Sequence, residues 1–118
     1  MKSRLGDSAR LKHILMAINE IESYLINQTF DSFASNSMMK NATVRQLEII
    51  GEAVGKLSEE LKSKFINIDW KAISGMRNIL IHEYFGVNLS MVWKTAINDL
   101  PVLKKIVIQS IEHDSTMF

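Results

Sequence analysis

The sequence predicts an all-α protein, an antiparallel helical bundle with short connections. Two observations carry this. Apolar residues recur at i, i+3, i+4 and i+7 along most of the chain, the spacing of one face of a helix. No stretch alternates apolar and polar residues long enough to argue for a sheet. The 118 residues suit one domain, 1–118, because ordinary domains mostly run to roughly 100–150 residues and can bury a core without staples.

The elements follow in order. Asp7 is placed to cap a first helix, along which Leu11, Ile14, Leu15, Ile18, Ile21 and Leu25 recur at helical spacing, ending near Asn27. Thr29 to Ser37 is polar with two phenylalanines and has room for one short helical turn. A second long helix starts between Asn36 and Asn41, with Val44, Leu47, Ile50, Val54, Leu57 and Leu61 as its apolar stripe. Gly51 and Gly55 lie four apart on one face. Each weakens a helix interior by about 1 kcal/mol relative to alanine, so the pair points to a close helix–helix approach. Phe65 to Ile68 reads as a loop. Asp69 caps a third helix from Trp70 to about Phe85, and Gly86 is its stop signal. Leu89, Val92, Trp93 and Ile97 begin a fourth helical pattern that Pro101 breaks or kinks. Asp99 is placed to cap a last segment carrying Leu103, Ile106, Val107 and Ile111, with a frayed tail from His113.

Composition excludes several classes of function. With no cysteine, the chain has no disulfide, no thiolate nucleophile and no cysteine-ligated metal. Fourteen Lys and Arg against thirteen Asp and Glu leave a formal net charge of +1, so an RNA substrate would be gripped at a local patch and not by the whole surface. No apolar run approaches the roughly 18–20 residues that cross a bilayer, and no apolar core follows the N-terminal charges as in a signal peptide. A soluble, cytoplasmic protein with no membrane partner is expected.

The chemistry is concentrated in Gly75-Met76-Arg77-Asn78-Ile79-Leu80-Ile81-His82-Glu83-Tyr84-Phe85. At about 100° per residue, Ile73, Arg77, Leu80 and Tyr84 form one stripe and Asn78 and His82 the adjacent one. Three members of the first stripe are apolar or aromatic, so it faces protein, where the Arg77 charge is costly unless it is paired or opens on a polar cleft. Arginine presents a planar fork of donors matched to phosphate, and histidine moves protons near neutral pH. Those two groups meet the needs of RNA cleavage. The ribose 2′-hydroxyl attacks the adjacent phosphorus, a base takes its proton and a cation stabilises the charge growing on phosphate. No metal or other cofactor is needed when the RNA supplies its own nucleophile. His82 and Glu83 do not form a metal site, since two adjacent ligands lack a third and fourth. The remaining polar residues read as structural: His13 and His113 as surface histidines, Asp69 as a cap, and Glu52 as solvated, with pairing to Arg77 as its alternative. Trp70 and Trp93 read as packing anchors.

Arg77-Asn78, three residues, then His82 resembles the signature of HEPN ribonucleases, and Tyr84 after it resembles the HepT toxins of bacterial HepT–MntA toxin–antitoxin pairs. The likeness extends to Asp7 with Arg10-Leu11 and Ile14-Leu15, to Arg45-x-Leu47-Glu48-x-x-Gly51-Glu52-Ala53, to Asp69-Trp70 before Ile73-x-Gly75, and to Val92-Trp93 before Asp99-Leu100-Pro101. The resemblance implies a metal-independent endoribonuclease toxin that forms a homodimer, with two motifs meeting across the dimer cleft. It implies Arg77 on the scissile phosphate, His82 in proton transfer and Asn78 as polar support. It also implies a partner, an MntA-type nucleotidyltransferase antitoxin, that neutralises the toxin by transferring AMP from ATP onto Tyr84. Added phosphate would place bulk and negative charge where the RNA phosphate should sit. Two other readings stand beside this one. The chain could be a non-cutting substrate-binding or regulatory partner of a nucleotidyltransferase, or a structural helical dimer with a fortuitous motif.

Overall fold

A computed structural model describes residues 4–75 and 88–116. Among the described residues every regular element is helical, in accord with the predicted all-α fold. The first helix, α1 (Arg4–Leu25), starts before Asp7. Asp7 therefore heads no helix. Its carboxylate is only 4% exposed and accepts hydrogen bonds from the backbone N–H (2.8 Å) and the hydroxyl of Ser58. Those bonds occupy the oxygens that a cap would have turned on its own helix. α1 ends in a turn where Asn27 takes φ 58°, a left-handed conformation that asparagine tolerates better than most residues.

The polar segment after Asn27 holds the expected helical turn, α2 (Phe30–Ala34). Thr29 caps it through a reciprocal pair of bonds. The Ser32 N–H donates to Thr29 Oγ1 (3.1 Å), and the Thr29 N–H donates to Ser32 Oγ (2.9 Å). The turn drives Phe33 fully into the core, where its ring centroid lies 5.3 Å from that of Trp93. Asn36 caps α3 (Ser37–Gly55) by accepting from the Met39 N–H at 2.9 Å.

The second long helix is shorter than its apolar stripe suggests. Leu57 and Leu61 are buried as expected, but the helix stops at Gly55. Ser58 then caps a separate short helix, α4 (Glu59–Ser63), accepting from the Leu61 N–H at 3.2 Å. Glycine makes continuation costly, and a serine with its side chain free to cap offers a new start. The described part of α5 covers residues 70–75.

Pro101 was expected to break or kink the last helix. The chain instead stays helical through α6 (Leu89–Lys94), a π turn (Thr95–Asp99) and α7 (Leu100–Thr116). The Leu100 N–H donates to the Thr95 carbonyl, five residues back. This wider turn lies where a proline ring would crowd a preceding carbonyl that it cannot bond. Asp99 consequently heads no new helix. Ile97, expected on the inward stripe, is 44% exposed, because Val92, Ala96 and Leu100 take the inner positions four apart. The helix also runs past His113, where fraying was expected, and Ile111 before it packs against the core.

α1 lies along α3 and against α7, and α2 touches both α3 and α6. The core is built from Leu11, Ile14, Ile18 and Ile21 of α1, Leu47, Ile50 and Val54 of α3, and Leu103 and Val107 of α7. Inside it, the fully buried Thr43 hydroxyl has no hydrogen-bond partner among the described residues. An unmet buried hydroxyl costs about 1–3 kcal/mol. Thr43→Val keeps the shape and removes the unmet group, so it should stabilise the protein by about 1 kcal/mol in urea unfolding.

Candidate active site

The described structure supplies the supports on either side of the motif. Asp69 caps α5, accepting from the Ala72 N–H at 3.0 Å. Trp70 is held by its indole N–H, which donates to the carbonyls of Lys62 (3.0 Å) and Phe65 (3.1 Å), while its ring packs against the core. Trp70 is thus a packing anchor, as the sequence suggests. Ile73 is half-buried against the same core; the other members of its stripe, Arg77, Leu80 and Tyr84, lie outside the described residues. A Cβ built on Gly55 would lie 3.6 Å from the Cβ of Ser74. That is an ordinary contact distance, so α5 lies beside α3 at Gly55 without the closer approach that would require a glycine there. On the far side, Asn88 caps α6 through a 3.1 Å bond from the Met91 N–H, and Trp93 packs between Phe30 and Phe33.

Arg77, Asn78, His82 and Tyr84 fall within 76–87 and lie outside the described residues. The described chain enters their segment from an anchored helix and leaves it into a capped one. Glu52, weighed in the sequence as solvated or paired with Arg77, has a half-exposed side chain and forms an ion pair with Lys56 at 3.5 Å. Among the described residues no group of three or more His, Asp or Glu is placed to hold a metal ion, and no helix is long and apolar enough to cross a membrane.

Clefts flank these elements. One, of about 480 Å³, runs between the Asn67–Ile73 segment and the α6–α7 helix, with Ile68, Ile73, Met91, Leu100 and Val102 among its walls. The second, of about 290 Å³, lies between α1 and α3 and is lined by Arg10, His13, Ile49, Glu52, Ala53 and Lys56. Sequence reasoning missed the second cleft. Arg10 and His13 are three apart, and Glu52 and Lys56 four apart, so each pair shares a helix face. Only the packing of α1 on α3 shows that the two faces meet.

A family model described as Ribonuclease HepT-like matches residues 14–110. A Methanocaldococcus jannaschii protein named "Gamma-glutamylcyclotransferase and putative RNase" is 40% identical over 102 residues; the match covers 86% of this chain and 46% of that protein. The chain thus spans less than half of that relative. A Caldanaerobacter subterraneus subsp. tengcongensis protein named "Putative RNase" is 39% identical over 104 residues, covering 88% of this chain and 93% of the relative. A "Probable ribonuclease HepT" of Thermococcus cleftensis is 38% identical over 94 residues, covering 80% of this chain and 86% of the relative. No solved structure gives a significant match. The chain belongs to the HepT-like ribonuclease family.

Proposed function

We propose that this chain is a metal-independent endoribonuclease, the toxin of a toxin–antitoxin pair. The observation that carries the reading is the family match across residues 14–110, which spans Arg77, Asn78, His82 and Tyr84 in a chain that retains all four at the motif's spacing. In this reading His82 takes the proton of the ribose 2′-hydroxyl as its oxygen attacks phosphorus. The bond from phosphorus to the 5′-oxygen breaks, and that oxygen takes a proton. Arg77 forks onto the phosphate oxygens and stabilises the charge that grows there. Asn78 supports the pair by hydrogen bonding.

The active unit is a homodimer whose two motifs face one cleft. Self-association would cover apolar surface of the kind that Met91, Ile97 and Val102 expose on the α6–α7 helix. A nucleotidyltransferase antitoxin silences the site by AMPylation: the Tyr84 phenol gives up its proton as its oxygen attacks the α-phosphorus of ATP, and pyrophosphate leaves. The adduct sets a phosphodiester charge against the incoming RNA backbone. The protein works in the cytoplasm, where its RNA substrate is made.

Purified protein should cut single-stranded RNA equally well with and without EDTA, and should run as a dimer in light scattering. Cleavage that stops on chelation would reject the metal-free chemistry, and a strict monomer at micromolar concentration would reject the composite site.

A further inference from the structure

The cleft between α1 and α3 gathers three cationic or ionisable donors, Arg10, His13 and Lys56, around a floor formed by Ile49 and Ala53. Its only carboxylate among the described lining residues is Glu52, which engages Lys56 at 3.5 Å. Arg10 is the odd member. The residue is half-buried, its Nε–H is shut off from solvent, and that N–H has no acceptor among the described residues. Its only hydrogen bond among the described residues is a long one, 3.5 Å, from a terminal guanidinium nitrogen to the Gly6 carbonyl one helical turn back. No carboxylate among the described residues forms an ion pair with it.

An anion entering the cleft does not reach the sealed Nε–H; it meets the terminal guanidinium nitrogens, which hold only one long bond among the described residues. Arginine's fork, a lysine ammonium and an imidazole suit a phosphate group, which offers several oxygens to donors arriving from different helices. The cleft also sits beside the helix that leads to the motif. Lys56 follows Gly55 directly, and Gly55 is the point where α3 meets Ser74, three residues before Arg77.

We propose that the α1–α3 cleft is a phosphate-binding subsite, with Arg10, His13 and Lys56 holding a backbone phosphate of the RNA strand at a distance from the scissile one. This rests on the ribonuclease reading and adds to it a second grip on the strand. A weakly charged chain thereby holds RNA through a local patch, as its net charge of +1 requires.

The test uses the full chain carrying His82→Ala, so that RNA stays intact, and a short fluorescein-labelled single-stranded RNA read by anisotropy. Adding Arg10→Met, which keeps the buried stem, or Lys56→Gln, on the surface, should each raise Kd about tenfold. Each should also flatten the slope of log Kd against log salt by about 0.7, the loss of one phosphate contact on a single strand. Thermal midpoints measured alongside show whether Arg10→Met still folds; if it does not, Lys56→Gln and His13→Gln, both at exposed positions, decide the question. Parent protein that binds RNA, together with folded variants that bind it as tightly and with the same salt slope, would overturn the subsite and leave the ribonuclease reading standing. Parent protein that fails to bind RNA at low salt would overturn both.

Discussion

Arg77→Ala and His82→Ala should each lower the rate of RNA cleavage by at least about 100-fold. Removing a preorganised donor from charge that develops on a transition state costs about 10²–10³ in rate, and removing a general base costs about 10²–10⁴. Arg77→Lys should also be severely impaired, because an ammonium cannot reproduce the two parallel bonds of the guanidinium fork. The double variant should be little worse than the worse single one, since residues that act as one unit lose their effect together. Circular dichroism guards against simple unfolding. Folded single variants that keep more than about a tenth of the parent rate would refute the assigned roles.

The second large effect concerns stability. Asp7→Ala should cost about 3 kcal/mol in urea unfolding and lower Tm by roughly 10 °C. The Asp7 carboxylate is almost fully buried and takes two hydrogen bonds from Ser58, while the Ser58 hydroxyl oxygen accepts from the Leu61 N–H. The chain of bonds ties the start of α1 to the α3–α4 junction, two to three residues from Gly55, where α5 is seated. Its loss strands the Ser58 N–H and loosens the cap of α4. Asp7→Asn keeps one carbonyl acceptor and should recover about half of the loss. A cost below about 1 kcal/mol for Asp7→Ala would show that the pin is not a main support of the fold.

Asp7 also shows where sequence reasoning stopped. The stripes of α1 and α3 were legible because a helix repeats its inward face every three to four residues, and the residues of those stripes are buried, apart from the half-buried Leu15. An aspartate near a helix start looks like a cap whether it bonds its own amides or a serine fifty-one residues away. The break at Gly55 was hidden for a related reason: Leu57 and Leu61 keep burying themselves after the helix has ended, so the pattern continues while the element does not. Pro101 was rightly read as a disturbance, but the remedy was one wide turn and not a break, which moved Ile97 outward. The motif was legible because Arg77, His82 and Tyr84 sit close together in sequence. The cluster of Arg10, His13 and Lys56 was not, because its members come from two helices whose contact no local spacing encodes.

In the proposed mechanism an arginine and a histidine cut RNA by turning its own 2′-hydroxyl on the phosphate, with no metal to activate water. The chemistry of the cut ends tests this most directly. Mass spectrometry of fragments made by the purified protein in EDTA should show 2′,3′-cyclic phosphate on one side of the cut and a 5′-hydroxyl on the other. Fragments bearing a 3′-hydroxyl and a 5′-phosphate would mean that water was the nucleophile, and would contradict the account.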